Sequence, residues 1–173
     1  MASTYTSTFA PNDVTVTISQ GGFSHIVSGF SEDSIVSVER NSDTFTLYTG
    51  ADDTNTRIYQ ANTSGMVTLP LQQTSNSNDI LSQLYLNDKA SKDSSGLFTM
   101  TIKDNSGRTT FFAEEAFIAR VPDASFGNTM QLREWQIQAV RLEANYGGNA
   151  NFTPEDQASL EALGGTVEDK WLP

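Results

Sequence analysis

The chain has 173 residues, 37% of them hydrophobic, and its 21 acidic and 10 basic side chains give a formal net charge of −11. This length predicts one domain with some appended sequence. With no cysteine and one histidine, the composition excludes a disulfide framework, a thiolate zinc site and a multi-histidine metal cage. The negative charge argues against a protein that holds a nucleic-acid backbone with basic side chains.

The sequence carries no sign of export or membrane insertion. Residues 1–11 have neither a basic segment nor an apolar stretch of the signal-peptide kind. No window approaches about 18 consecutive apolar residues, the length that a membrane-spanning helix needs. We therefore expect a protein that folds in a cytoplasm and has no membrane partner.

Short alternating runs of polar and apolar residues dominate the first 142 positions. Serine and threonine interleave with valine, isoleucine and phenylalanine at a period of two, which is typical of half-buried strands. The predicted strands lie at 14–18, 35–40, 45–48, 56–59, 66–71, 98–102, 109–120 and 130–142. Asp104-Asn105-Ser106-Gly107 predicts a hairpin turn between two of them. The pattern indicates an all-β core.

One helix interrupts the strands. Apolar residues between Ile80 and Tyr85 recur at helical spacing, which predicts an amphipathic helix over 78–89. Ser77 precedes this pattern and is the predicted N-cap, because a serine hydroxyl accepts hydrogen bonds from the free N–H groups of the first turn.

The composition changes after Gly147-Gly148. Thr153 followed by Pro154 predicts the start of a second short helix over 154–163. Residues 150–173 carry five acids and one base, a net charge of −4. The sequence thus predicts a β domain over 1–149 and an acidic extension with a short helix over 150–173.

No group of residues predicts catalysis, a metal or a cofactor. Glu114-Glu115 lies in a strand, where successive side chains point to opposite faces, so the pair is not expected to act on one bond; either glutamate is expected to pair with Arg133 instead. Asp52-Asp53-Thr54-Asn55 lacks the spacing of a calcium loop. His25 has no nucleophile elbow or orienting acid near it in sequence. We expect a protein that is not an enzyme.

Residues 41–60 stand out because apolar side chains are spread among serine, threonine, aspartate and asparagine. A long hairpin of this composition has little core of its own to bury its aromatic rings. Two interpretations stay open: a surface hairpin folded back on the domain, or an arm that contacts a partner, since exposed apolar surface usually marks an interface.

Several segments, in order along residues 3–149, resemble the tail (inner) tube proteins of contractile-tailed bacteriophages. They are Ser3-Thr4-Tyr5, Asp13-Val14-Thr15-Val16-Thr17-Ile18, Val38-Glu39-Arg40, Asp43-Thr44-Phe45-Thr46, Gly50-Ala51-Asp52, Arg57, Gly65-Met66-Val67-Thr68-Leu69, Ser77-Asn78-Asp79-Ile80-Leu81, Ile102-Lys103-Asp104, Pro122, Phe126-Gly127 and Arg133-Glu134-Trp135. The resemblance rests on their order and spacing, and none of these motifs is catalytic.

This resemblance implies an antiparallel β-sandwich or partly closed barrel with one flanking helix, related in fold to the tube proteins of type VI secretion systems. It also implies six-membered rings that stack into a tube inside a sheath, with genome DNA passing through the lumen without specific binding. Implied partners are further copies of the chain and the tail sheath, tape measure, baseplate and tail terminator proteins. The implied location is the virion tail, assembled in the host cytoplasm. The extension after residue 149 is longer than the family pattern.

The residues predicted to make subunit or ring-stacking contacts all lie in the 41–60 hairpin. They are Asp43, Phe45, Leu47, Tyr48, Asp52, Arg57 and Tyr59. The alternative function is a carbohydrate-binding or adhesive β-sandwich, in which Trp135, Tyr59 or Trp171 stacks on a sugar ring. Against this alternative, Trp135 alternates with apolar residues as a core side chain does.

Overall fold

A computed structural model describes residues 7–172 of the chain. The motif Ser3-Thr4-Tyr5 therefore lies outside the described residues. Nine strands and two α-helices occupy the described part. The strands are β1 Val14–Gln20, β2 Phe23–Ile26, β3 Ser37–Arg40, β4 Phe45–Thr49, β5 Asn55–Tyr59, β6 Gly65–Gln72, β7 Phe98–Asp104, β8 Thr110–Arg120 and β9 Leu132–Asn145; the helices are α1 Ser77–Ser91 and α2 Pro154–Ala162.

The strands form two antiparallel sheets. Among residues 7–172, the main sheet has seven strands in the order β2-β1-β7-β8-β9-β6-β3, and β4 pairs only with β5 in a separate two-stranded sheet. The predicted fold class, mainly β and antiparallel with one flanking helix and a short C-terminal helix, is confirmed. The main sheet does not close into a barrel.

The main sheet is nonetheless strongly curved, as the segment from Val27 to Ser31 demonstrates. The Val27 N–H donates to the carbonyl of Val16 at the outer side of β1, and the Ser31 N–H donates to the carbonyl of Pro70 at the outer side of β6. In a flat sheet, a residue on the outer side of β1 and a residue on the outer side of β6 would be separated by six strand spacings, which is about 29 Å. Four residue steps span at most about 14 Å. The two ends of the sheet must therefore approach each other.

The inner face of this curved sheet holds the hydrophobic core. Buried side chains alternate along the central strands, as in Val16 and Ile18 on β1 and in Leu69 and Leu71 on β6. The helix α1 adds Leu81 and Leu84 to the same cluster. The core thus forms by the period-two pattern of the sequence, with one amphipathic helix packed against it.

Ser77 is not the N-cap of α1, which corrects the prediction. The cap position is Asn76, without a side-chain cap bond, and Ser77 is fully buried as the first helical residue. Its hydroxyl accepts a hydrogen bond of 3.0 Å from the Ser28 N–H and lies 2.9 Å from His25 Nε2. Tertiary contacts with the chain after β2 therefore decide the position of this serine.

The Glu114-Glu115 pair coincides with an irregularity in β8. Glu115 has a φ of 51°, and the register of β8 against β7 shifts at this point. Glu114 lies 3.8 Å from Arg141 on β9, so its ionic partner is Arg141 and not the predicted Arg133. Both side chains are exposed enough that the pair contributes at most about 1 kcal/mol.

The C-terminal extension folds onto the end of the β7–β8 hairpin. The Thr153 hydroxyl accepts a bond from the Asp156 N–H, which caps α2 as predicted. The guanidinium of Arg108 lies 4.4 Å from the ring centroid of Phe152 and 4.6 Å from that of Trp171. The β domain and the extension are thus in direct contact. The boundary between them at residue 149 stays a prediction.

Candidate assembly interface

The β4–β5 hairpin projects from the domain with every strand residue exposed. Leu47 is 72% exposed and Tyr59 is 65% exposed. Such values mark side chains outside the core, because large apolar residues are normally buried where the fold can cover them. Of the two interpretations left open above, this exposure argues against a hairpin folded back on the domain, and an arm that contacts a partner stays a prediction.

The register divides the predicted residues between two faces. Phe45 pairs with Tyr59 and Leu47 pairs with Arg57, which places these four side chains on one face. Tyr48, which is 62% exposed, lies on the opposite face. The predicted set therefore does not form a single patch.

The second face also contains an apolar residue outside the predicted set. Ile58 pairs with Thr46 and is 43% exposed, on the same face as Tyr48. Because side chains alternate between the two faces along β5, the sequence pattern itself predicts that Ile58 faces away from Arg57 and Tyr59. Each face of the hairpin thus carries apolar surface.

On the first face, a cation and two aromatic rings contact one another. The Cζ atom of Arg57 lies 3.6 Å from the centroid of the Phe45 ring. The Phe45 and Tyr59 ring centroids are 5.7 Å apart at an interplanar angle of 49°. Within residues 7–172, no carboxylate lies within ion-pair distance of Arg57. This cluster presents a preformed surface of aromatic and cationic character.

The turn between the two strands is closed by several hydrogen bonds. The Gly50 N–H donates to the Thr54 carbonyl at 2.8 Å, and the Asp53 N–H donates to the Gly50 carbonyl at 3.0 Å. The Thr54 N–H donates to Asp52 Oδ1 at 3.2 Å. Hydrogen bonds from the side chain and backbone of Thr54 lower the pKa of Asp52 below its ordinary value. The turn therefore presents an ionised carboxylate in an ordered position.

Asp43 and Asp52 are not brought together. Asp43 is exposed in the chain before β4, at the base of the hairpin, whereas Asp52 lies at its tip. The strand between them has five residues and spans about 17 Å. The two predicted acidic contacts therefore belong to different ends of the arm.

The side chains considered above for catalysis or metal binding do not come together in one site. His25 faces the fully buried Ser77, whose hydroxyl already accepts the Ser28 N–H, so this hydroxyl is not positioned to attack a substrate. Within residues 7–172, no three histidine, cysteine or acidic side chains cluster as metal ligands do. In the same described part, no helix is long and apolar enough to cross a bilayer.

The three aromatic residues of the carbohydrate-binding alternative are also dispersed. Trp135 is buried, and its indole N–H donates to Asn78 Oδ1 at 2.8 Å. Trp171 packs against Arg108, and Tyr59 lies on the hairpin. They do not share one surface on which a sugar ring would stack.

A curved antiparallel β domain with a projecting hairpin of exposed apolar side chains has the features of a subunit that contacts other chains. A family model described as the bacteriophage PhiTE tail tube protein matches residues 4–147. The chain belongs to this family of phage tail tube proteins, which confirms the predicted family. It is therefore a structural protein of the phage tail tube.

Two individual comparisons agree with this assignment. The chain is 48% identical over 169 residues to structural protein ORF10 of Pseudomonas phage KPP10, an alignment that covers 96% of this chain and 98% of the relative. A chain of the PVC sheath–tube complex of an extracellular contractile injection system, in its extended state, matches with a TM-score of 0.50 and 14% identity, over 80% of this chain and 91% of that one. The second likeness concerns the fold alone.

Proposed function

We propose that this protein forms six-membered rings that stack into the inner tube of a contractile tail, and that the β4–β5 hairpin contacts a neighbouring ring. The observation that carries the proposal is the exposure of large apolar residues on both faces of the hairpin. An arm of this kind gains stability when a partner covers it, because removing apolar surface from water is favourable by about 25 cal/mol per Å².

A stacked tube needs two kinds of contact between identical chains. Contacts within a ring must close, whereas contacts along the axis must stay open, and both are heterologous. Among residues 7–172, β2 and β3 are the end strands of the main sheet, and end strands of this kind suit lateral contacts within a ring. The projecting hairpin suits the axial contact. The number of six subunits comes from the family resemblance.

The charge of the chain suits a conduit for genome DNA. With 21 acids against 10 bases, the assembled tube has a net negative charge, and duplex DNA has a charge about every 1.7 Å of its axis. Binding of DNA to the wall would slow its passage, so repulsion serves the function. DNA is accordingly proposed to pass through the lumen without specific binding.

The remaining proposals concern partners and location. One solved structural neighbour comes from a sheath–tube complex, and a tail sheath is proposed to surround the tube of this protein as well. A tail terminator, a tape measure protein and a baseplate complete the proposed set, with assembly in the host cytoplasm. The proposed role is structural and involves no catalysis.

Electron microscopy of the purified protein tests this function. At high concentration, or on a nucleating baseplate, we expect rings of six subunits that stack into hollow tubes. A protein that stays monomeric under both conditions would contradict the proposal. So would a hydrolase or transferase activity that disappears when one acidic residue is replaced.

A further inference from the structure

A cleft of about 700 Å³ lies between the β7–β8 hairpin and the C-terminal extension. The β domain contributes residues around Arg108 and Gly147, and the extension contributes Phe152, Leu160, the segment 165–168, Lys170 and Trp171. The family model matches only as far as residue 147. Half of the cleft is therefore built from sequence beyond the matched region.

The cleft is basic although the chain as a whole is acidic. Lys103, Arg108 and Lys170 line it, and Glu168 is its one carboxylate among the described residues. Glu168 is already paired with Lys170 at 2.8 Å. Lys103 and Arg108 have no carboxylate within ion-pair distance among residues 7–172. The formal charge of the lining is thus +2 (three cations minus one anion), in a chain of −11.

The walls of the cleft are held in place by Arg108. Its guanidinium lies between the rings of Phe152 and Trp171, at 4.4 and 4.6 Å from their centroids. Its Nη1 donates to the Ala150 carbonyl at 2.8 Å. The Phe152 N–H donates to the Trp171 carbonyl at 2.9 Å, which ties the two ends of the extension together. A preformed site of this kind loses little conformational freedom on binding.

We propose that this cleft receives the Asp52–Asp53 turn of a neighbouring copy of the chain. The inference rests on the proposed function, since it names the surface that the hairpin tip contacts. Both aspartates are exposed at the end of an arm about 17 Å long, and the turn bonds hold their backbone in place. Two carboxylates match the net positive charge of the cleft.

Other exposed cations offer a poorer partner for the turn. Lys89 and Lys92 are exposed at the end of α1 and do not line this cleft. Arg57 lies on the hairpin itself, against Phe45. In the cleft, by contrast, three cations line one surface, and a contact there gives the extension a role in stacking.

A charge swap tests this contact. Asp53→Lys and Lys103→Glu alone should each raise the critical concentration for tube growth about tenfold or more, because each places like charges together. The combined variant should return to within about threefold of the wild type. Lysine is acceptable at position 53, where φ is 64°, because Lys92 adopts a φ of 54° in the same chain.

The matched controls are Asp33→Lys and Lys89→Glu, which make the same charge changes at exposed positions outside the cleft and hairpin. They should leave the critical concentration unchanged. Equal effects of the controls and the test variants would attribute the result to net charge and overturn the proposal.

Cross-linking supplies a second, geometric test. The chain has no cysteine, so a tube assembled from equal amounts of Asp53→Cys and Lys103→Cys proteins forms a disulfide heterodimer only if the turn and cleft meet. A tube assembled from equal amounts of Asp53→Cys and Lys89→Cys proteins should give no heterodimer. If tubes form normally but show neither the cross-link nor the charge-swap pattern, the turn does not bind this cleft. The proposed function would still stand in that case. A wild-type protein that forms no tubes would reject both.

Discussion

Arg57 lies across the ring of Phe45, and both residues belong to the same exposed hairpin. The 3.6 Å approach of the guanidinium carbon to the ring centroid is a cation–π contact, worth about 0.5–1 kcal/mol at an exposed site. This contact stiffens the arm without burying it in the domain. An arm that is ordered and still exposed is well suited to bind another subunit.

Truncation of the hairpin aromatics should separate assembly from folding. Phe45 and Tyr48 are 49% and 62% exposed, so Phe45→Ala with Tyr48→Ala should leave the melting temperature of the monomer nearly unchanged while abolishing tubes. Calorimetry and electron microscopy measure the two effects. Phe9→Ala with Leu86→Ala, two exposed apolar residues outside the hairpin, is the control and should still assemble. If the pair were core residues, each truncation would cost about 3–5 kcal/mol, and such a loss would refute an interface role.

The hydrogen bond between Trp135 and Asn78 should stabilise the attachment of α1. Asn78 accepts the indole N–H at 2.8 Å and donates through Nδ2 to the Gln72 carbonyl at 2.9 Å. Asn78→Ala should lower the free energy of unfolding by about 1–3 kcal/mol, because Trp135 then keeps a buried donor without its partner. Denaturant unfolding measures this, with the exposed Asn87→Ala expected within about 0.5 kcal/mol of the wild type. Equal stabilities of the two variants would show that the bond is unimportant.

Arg108 should keep the C-terminal extension on the domain. Arg108→Ala removes two ring contacts and the hydrogen bond to Ala150, so the extension should be cleaved faster in limited proteolysis. The domain itself should stay folded, because Arg108 is not part of the core cluster. Arg120→Ala, which breaks only an exposed ion pair with Asp123, is the control. Unchanged cleavage of the extension in Arg108→Ala would mean that other contacts hold it.

Assembled tubes should not retain duplex DNA, even at low ionic strength, where screening is weakest. Replacement of lumen-facing acids by lysine should create retention that falls as salt is added, because counterion release then favours binding. Filter binding over a salt series measures the retention, and genome delivery by the virion measures its consequence. If several reversed charges change neither quantity, electrostatic repulsion is not what keeps the conduit open.

The sequence was most informative where periodicity dominates. The strand predicted over 14–18 from its alternating residues corresponds to β1, and the helix predicted from the apolar spacing after Ser77 corresponds to α1. The apolar residues of the hairpin could also be recognised from the sequence, because they are spread among polar residues in a segment with little core of its own. Local pattern and tertiary structure agree at these elements.

Other features depend on residues far apart in the chain. β2 escaped prediction because Phe23–Ile26 is only four residues long and mostly polar or exposed. Ser77 looked like a helix cap, and only its burial against the chain after β2 shows otherwise. Arg108 meets Phe152 and Trp171 across more than 40 intervening residues. No local signal marks such contacts.

Cryo-electron microscopy of tubes assembled from the wild-type chain tests the central claim most directly. We expect stacked rings of six subunits in which Leu47 and Tyr59, exposed in the single chain, are covered by a subunit of the next ring. Stacked rings in which the β4–β5 hairpin remains in solvent would contradict this claim, as would a protein that stays monomeric on every nucleus.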